Sequence, residues 1–528
     1  MTNLVHELIL HTALQAPNAD ALFYQGQSLR YDELAGAIES IASSLINIGL
    51  HPNERVAIYL EKRIETVVGL FGAAYAGGVF VPINPLLKAE QVSHILNDCN
   101  VKILLTSIDR LQHLAQVLPD CADLHTIILV ETSDILPSLA RINIVRWHDL
   151  IHTPFSCNKH RRIDSDMAAI LYTSGSTGKP KGVVLSHRNL VAGAQSVASY
   201  LNNTRDDRIL SVLPLSFDYG LSQLTTAFSV GASVVLVNHL FPRDIVKAVI
   251  DDRITGLAAV PPLWIQLAQL PWPIELSLRY ITNSGGALQK TTLDRLRSCF
   301  PHAQIFLMYG LTEAFRSTYL PPSEIDRRPN SIGKAIPNAE VMVVRNDGTV
   351  CEAHEAGELI HRGALVSLGY WNDPEKTAER FKPAPSHINE LPLKEIAVWS
   401  GDTVRMDEDG FFYFIGRQDE MIKVSGYRVS PTEVEEVLYA HPMVKEAIVF
   451  GVPHPLLGQA IIALVVPHEQ QLLTSLILKK KCQSHLPSYM VPSLIEMQTE
   501  QLPRNTNGKI DRKSLQANMC SLFDEVQK

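Results

Sequence analysis

Tyr172-Thr173-Ser174-Gly175-Ser176-Thr177-Gly178-Lys179-Pro180-Lys181-Gly182-Val183 follows directly on the apolar run Met167-Ala168-Ala169-Ile170-Leu171. A short apolar run that ends in small hydroxyl residues and glycines reads as a loop leaving a buried strand. Glycine and serine leave backbone N–H groups open to phosphate oxygens, and Lys179 and Lys181 add positive charge. The stretch is not a Walker A loop, because Thr173 and Pro180 stand where that pattern needs a glycine and a Ser or Thr. A Gly/Ser segment alone is more often a flexible turn. Twelve residues in this order are better read as a phosphate-binding loop.

Outward from this loop, β-branched apolar runs alternate with longer amphipathic stretches. ERVAIYL, VKILLT, HTIILV, ASVVLV and YITNSGG are such runs, and the alternation predicts α/β layering with mostly parallel sheets. From about Ile332 the strands AEVMVV, GELIHRG and GFFYFIGR crowd together. The turn signals Asn346-Asp347-Gly348 and Asp409-Gly410 separate them, as in a small antiparallel β region. After Gly416 comes PTEVEEVLYAHP, an amphipathic helix with Pro431 near its start and acids in its first turns. Two strand runs, EAIVFGVP and AIIALVVP, and a helix over 472–485 complete a C-terminal α+β domain of about 110 residues. The expected division is therefore 1–417 and 418–528.

Composition bounds the function. With 528 residues, 46% hydrophobic and 19% charged, the chain is long enough for several packed subdomains and is not of a disordered class. A net charge of −8 argues against a general nucleic-acid binder, though not against a local basic patch. The run most like a membrane span, Thr66 to Ile83, is broken by four glycines and ends near Pro82, so it is read as a buried helix entering a buried strand. The start, MTNLVHELIL, has no basic segment before a long apolar one, so no signal peptide is expected. Seven scattered cysteines form no CxxC pair, which points to neither a zinc site nor a disulfide framework and suits a reducing cytoplasm.

The loop resembles the signature of the adenylate-forming superfamily, which holds AMP-dependent acyl-CoA synthetases, amino-acid adenylation domains and luciferases. Five more family motifs follow in order, so the resemblance covers nearly the whole chain. Asn283-Ser284-Gly285-Gly286-Ala287-Leu288 resembles the adenine loop. Tyr309-Gly310-Leu311-Thr312-Glu313 resembles the motif whose Tyr packs on adenine, whose Thr contacts phosphate and whose Glu holds Mg²⁺. Ser400-Gly401-Asp402 is similar to the segment whose Asp binds the ribose hydroxyls. Gly416-Arg417-Gln418-Asp419 looks like the hinge, with Arg417 near the ribose and Asp419 as pivot. Pro503-Arg504-Asn505-Thr506-Asn507-Gly508-Lys509-Ile510 resembles the motif of the catalytic lysine.

The resemblance implies a large N-terminal adenylation domain and a small mobile C-terminal domain. It implies an ATP- and Mg²⁺-dependent ligase that makes an acyl- or aminoacyl-adenylate and passes the acyl group to the thiol of CoA or of a carrier protein's phosphopantetheine. Lys509, Thr312, Glu313 and Lys181 are the expected catalytic residues. The nucleotide would meet Thr173, Ser174, Gly175, Ser176, Thr177, Gly178, Gly285, Gly286, Ala287, Tyr309, Gly310, Asp402 and Arg417. Ser425, Gly426 and Tyr427 would line the thiol channel, with room for a pantetheine arm at Gly426. Two other readings of the same resemblance are an oxidative enzyme of the luciferase kind and a catalytically silent nucleotide-binding protein.

The substrate pocket is expected at Phe217, Asp218, Tyr219, Ser284, Met308 and Arg316. Leu213 to Gly220 resembles the SFD segment of amino-acid adenylation domains, whose Asp pairs with the substrate's amino group. Capping a local helix is the other reading of Asp218. Arg316 suits a substrate with a second carboxylate, or equally a structural acid or solvent. The segments YGLTEAFR and SFDYGL together are similar to free-standing amino-acid:carrier-protein ligases and to acyl-CoA ligases associated with exosortase loci. Lys479-Lys480-Lys481 reads as a solvated helix face or as a patch that steers an acidic carrier or the CoA 3′-phosphate.

Overall fold

The computed structural model describes residues 2–131, 139, 141–151, 160–173, 180–288, 290–385, 392–417, 421–468, 473–503, 510 and 512–523. The loop 174–179, Asp419 and Lys509 lie outside these residues, as does the side chain of Arg417.

The strand read from MAAILYT is Met167–Thr173. It pairs in parallel with Val79–Pro82 and antiparallel with Lys181–Ser186, in register Thr173 to Lys181. Both ends of the phosphate-loop stretch are thus pinned to one sheet. Helix His187–Tyr200 follows, and its start is fixed by reciprocal bonds: Asn189 N–H donates to Ser186 Oγ at 3.2 Å, and Ser186 N–H to Asn189 Oδ1 at 2.8 Å. The sheet continues through Arg55–Tyr59, Val101–Thr106, Thr126–Leu129 and Asn143–Arg146, all parallel. Helix Ile64–Tyr75 and strand Val79–Pro82 are buried almost throughout, which accounts for the uncharged run near Thr66. No helix among the described residues is long and apolar enough to cross a membrane.

A second sheet runs in parallel from Asp20–Tyr24 through Ser233–Leu236, Arg208–Ser211, Gly256–Ala259 and Tyr280–Asn283 to Gln304–Tyr309. The antiparallel strands after Ile332 do not stand apart. Thr318–Leu320 pairs antiparallel with Gln304–Tyr309, and the sheet runs on through Ser331–Ala335 and Phe412–Arg417 to Ile396–Met406, Ala356–Gly363 and Ala339–Val344. This continuation covers a parallel edge that would otherwise expose its backbone groups.

Sheet membership changes between Arg417 and Ile422. Strands Ile422–Val424, Tyr427–Val429, Val444–His454, Gly458–Pro467 and Leu494–Met497 form a third sheet. Helices Pro431–Tyr439 and Ser475–His485 belong to this C-terminal unit, which carries apolar clusters of its own around Val449 and Phe450. The architecture is α/β, with two large layered sheets and a small α+β unit.

Candidate functional site

Parallel strands present the residues after their carboxyl ends along one rim, where α/β sheets usually bind ligands. Here Thr173, Val260, Ser284 to Ala287 and Tyr309 to Thr312 all follow such ends and all border one cavity of about 1250 Å³. Phe217, Asp218 and Tyr219 border it from the start of helix Asp218–Val230, and Met308 and Arg316 from either side of the Tyr309 motif. The opposite wall is the hairpin Ile422–Val424 and Tyr427–Val429 of the C-terminal unit, which brings in Gly426, Tyr427 and Arg428. Tyr427 lies edge-on to Phe217 at 4.7 Å and stacks on Tyr489 at 3.7 Å. Gln91 Nε2 donates to Glu433 Oε1 at 2.8 Å, a second bond between the units.

The candidate adenine loop is held open by Asn283 Nδ2, which donates to Gly286 O at 3.0 Å. Tyr309 O–H donates to Asp402 Oδ2 at 2.5 Å, so the expected adenine and ribose residues are joined directly. Asp402 is buried behind Tyr309 rather than on the cavity wall. Its turn is fixed by Asp402 N–H to Ser400 Oγ at 3.0 Å and Ser400 O–H to Leu359 O at 2.7 Å. Asp402 and Arg417 are register partners on paired strands.

Beside this cavity is a smaller one of about 70 Å³, bordered by Thr173, Lys181, Glu313, Tyr370, Arg380 and Arg428 among others. Lys181 Nζ lies 3.3 Å from Glu313 Oε1 and donates to Tyr370 Oη at 2.9 Å, and Tyr370 O–H donates to Glu313 Oε1 at 2.6 Å. Burial favours the neutral acid at Glu313, but Lys181, Arg428 and the Tyr370 bond outweigh it and hold the carboxyl down at about 2. Burial also lowers Lys181, only partly countered by Glu313. Glu313 is therefore a carboxylate at neutral pH with Oε1 already engaged. One ionised carboxylate beside a basic pocket fits a Mg²⁺ held mainly by nucleotide phosphates.

On the large unit's wall, Asp218 and Arg316 carry charge into the large cavity. Asp218 is the first residue of its helix and borders the cavity; Phe217 holds the cap position with no side-chain cap bond, so Asp218 is not the cap that one reading expected. Burial raises its carboxyl above the ordinary range, with Arg316 and Arg428 opposing. Arg316 is 1% exposed. It donates Nη1–H to Ser284 Oγ at 3.2 Å and lies 4.7 Å over the Tyr219 ring. A buried ion left unpaired costs several kcal/mol, whereas a desolvated cation–π contact returns about 2 kcal/mol and a charge-assisted hydrogen bond about 1.5–3 kcal/mol.

Tyr370 was missed by the sequence reading. It lies far along the chain from both Lys181 and Glu313, in no motif, and only strand topology brings the three together. Gln91 and Glu433 were missed for the same reason. Ser425 turns the hairpin at φ 51° and is not on the cavity wall.

The family model of AMP-binding enzymes matches residues 9–371, and that of their C-terminal domain matches residues 433–509. The chain belongs to the AMP-binding enzyme family. An AMP-binding relative, the L-proline--[L-prolyl-carrier protein] ligase of Pseudomonas fluorescens, is 30% identical over 97% of this chain and 98% of its own. The long-chain-fatty-acid--CoA ligase of Bacillus subtilis is 28% identical over 97% and 94%. Both are acid–thiol ligases by name. The chain also spans 19% of the length of a much longer relative, a mycosubtilin synthase from Bacillus subtilis, at 31% identity. Among solved structures, a double mutant of o-succinylbenzoate CoA synthetase from Bacillus subtilis superposes with TM-score 0.80 at 26% identity, covering 96% of this chain and 97% of that one.

Proposed function

We propose that the protein is an AMP-forming acid–thiol ligase. The observation that carries this is the single cavity on which the strand-end motifs of the large unit face the hairpin of the small one. A substrate carboxylate oxygen attacks the α-phosphorus of ATP, the bond to the β-phosphate oxygen breaks, and pyrophosphate leaves. A thiolate then attacks the acyl carbon and AMP departs. Negative charge gathers on the α-phosphate in the first step, which calls for cations fixed in advance.

Adenine would lie between the Gly285 to Ala287 loop and Tyr309, the ribose at Asp402 and Arg417, and the phosphates at Thr173, the loop 174–179, Thr312 and Lys181. Mg²⁺ at Glu313 would neutralise the nucleotide phosphates. The division at 417/418 with Asp419 as pivot would let the small unit bring Lys509 to the carboxylate first and then swing the hairpin in. The docked hairpin described above suits the second step, with Gly426 and Tyr427 along the thiol path and Ser425 only turning the hairpin.

An amino acid is the substrate favoured by Asp218, because a half-buried carboxyl raised by desolvation gains most from an arriving ammonium. The acceptor is CoA or a carrier protein's phosphopantetheine. Both point to the cytoplasm, where unpaired cysteines stay reduced. The test is product analysis with ATP, a panel of amino and simple acids, and either CoA or a pantetheinylated carrier protein. AMP and thioester in equal amounts support the reading; ADP, or AMP release that never requires an acid, contradicts it.

A further inference from the structure

Arg316 owes its place to an unusual turn. Thr312–Ala314 forms one turn of 3₁₀ helix, then Phe315 takes φ 56° and Arg316 N–H donates to Ala314 O at 2.5 Å. This is a γ-turn with a bulky residue at its centre, a strained conformation that persists only where its surroundings enforce it. Phe315 packs where Gly193 leaves room; a β-carbon there would come within 2.5 Å of its ring. The chain is thereby fixed with Arg316 bordering the cavity beside Tyr219 and Ser284.

The two bland readings of this arginine fail on the structure. Solvent does not take it, at 1% exposure. No acid among the described residues bonds it either: Nη1–H to Ser284 Oγ is its one hydrogen bond to a described residue, Nε and Nη2 have no hydrogen-bond partner, and Asp218 acts on it only through its field. Those two nitrogens share one edge of the guanidinium, the edge that receives a carboxylate through two parallel bonds.

We infer that this edge is the seat of a second carboxylate on the substrate, distal to the one that is activated, so that the enzyme takes a dicarboxylic acid. The inference rests on the ligase reading above and adds the substrate class. A carboxylate reaching Arg316 from the cavity supplies the two hydrogen bonds that this edge lacks and that Asp218 does not make. A neutral amide of the same shape offers one acceptor where the edge needs two, and sites built around such a group reject analogues that lack it.

The experiment measures acid-dependent exchange of labelled pyrophosphate into ATP for matched pairs. These are succinate and its monoamide, glutarate and its monoamide, aspartate and asparagine, and glutamate and glutamine. For at least one pair the dicarboxylate should exceed the amide in kcat/KM by about 100-fold or more. Arg316→Met should bring that ratio within about tenfold, and Arg316→Lys should recover part of it, since a point charge lacks the fork. If Arg316→Met does not fold, the wild-type ratios decide. A wild-type enzyme that activates amides or plain monocarboxylates as well as the dicarboxylates overturns the inference, as does an undiminished ratio in a folded Arg316→Met. Absence of exchange with every acid overturns the ligase reading itself, and the inference with it.

Discussion

Replacing Gly426 by alanine separates the two half-reactions. Gly426 sits at φ 86°, and a β-carbon built on it would lie 2.8, 3.0 and 3.1 Å from Val260 Cγ1, Cβ and Cγ2. Val260 is β-branched and 9% exposed in the core of the large unit, so it has no free rotamer to turn into. The added methyl acts in two ways. The left-handed backbone costs an alanine about 1–2 kcal/mol wherever the small unit stands. The contact with Val260 costs roughly 1–3 kcal/mol, as overpacking does, and only when the hairpin is docked. The second cost alone changes the docked population, by a factor of about 5 to 150. Acyl transfer from preformed adenylate to the thiol should therefore fall about 10- to 100-fold, while pyrophosphate exchange changes by less than about threefold. Adding Val260→Ala removes Cγ1 and Cγ2 and should restore transfer in part. Equal loss in both half-reactions, or no rescue by Val260→Ala, would refute the assignment of the docked hairpin to thioester formation.

Lys509→Ala should show the opposite pattern, with adenylate formation reduced by at least about 100-fold and thiolysis of supplied adenylate much less affected, measured in the same two assays. Glu433 gives the second half-reaction a pH dependence. Burial raises its carboxyl from 4.5 to about 7, with the Gln91 bond opposing. In the undocked unit the acid returns toward its ordinary value, so docking is strongest at the acid end, weakens as pH rises from about 4.5 to about 7, and is then constant. Glu433→Gln keeps an acceptor for Gln91 and has no charge to bury. The ratio of its thiol-transfer rate to the wild-type rate should rise across that window and stay high above it, because the thiolate fraction cancels in the ratio, with pyrophosphate exchange as the control. An unchanged pH profile contradicts the role of Glu433.

The layered sheets were legible because the sequence marks them locally. Met167–Thr173 and Tyr280–Asn283 are apolar runs that end in glycine and hydroxyl residues, and each such end reaches the cavity rim. Local marks also showed the antiparallel strands after Ile332, but not that they extend the parallel sheet, since pairing across Gln304–Tyr309 and Thr318–Leu320 is a matter of topology. Of Lys181, Glu313 and Tyr370, the two charged members were visible in motifs; Tyr370 carries no local signal. Arg316 was visible as a residue but not as a buried one, because its direction depends on the Phe315 γ-turn and on the space at Gly193.

In the proposed reaction a carboxylate is activated by bonding to the α-phosphorus of ATP. An acid labelled with ¹⁸O in both carboxylate oxygens, turned over with ATP and the thiol acceptor, tests it directly by mass spectrometry of the nucleotide product. The account predicts AMP carrying one ¹⁸O atom, with the other retained in the thioester. Unlabelled AMP, or label recovered in inorganic phosphate alongside ADP, would contradict it.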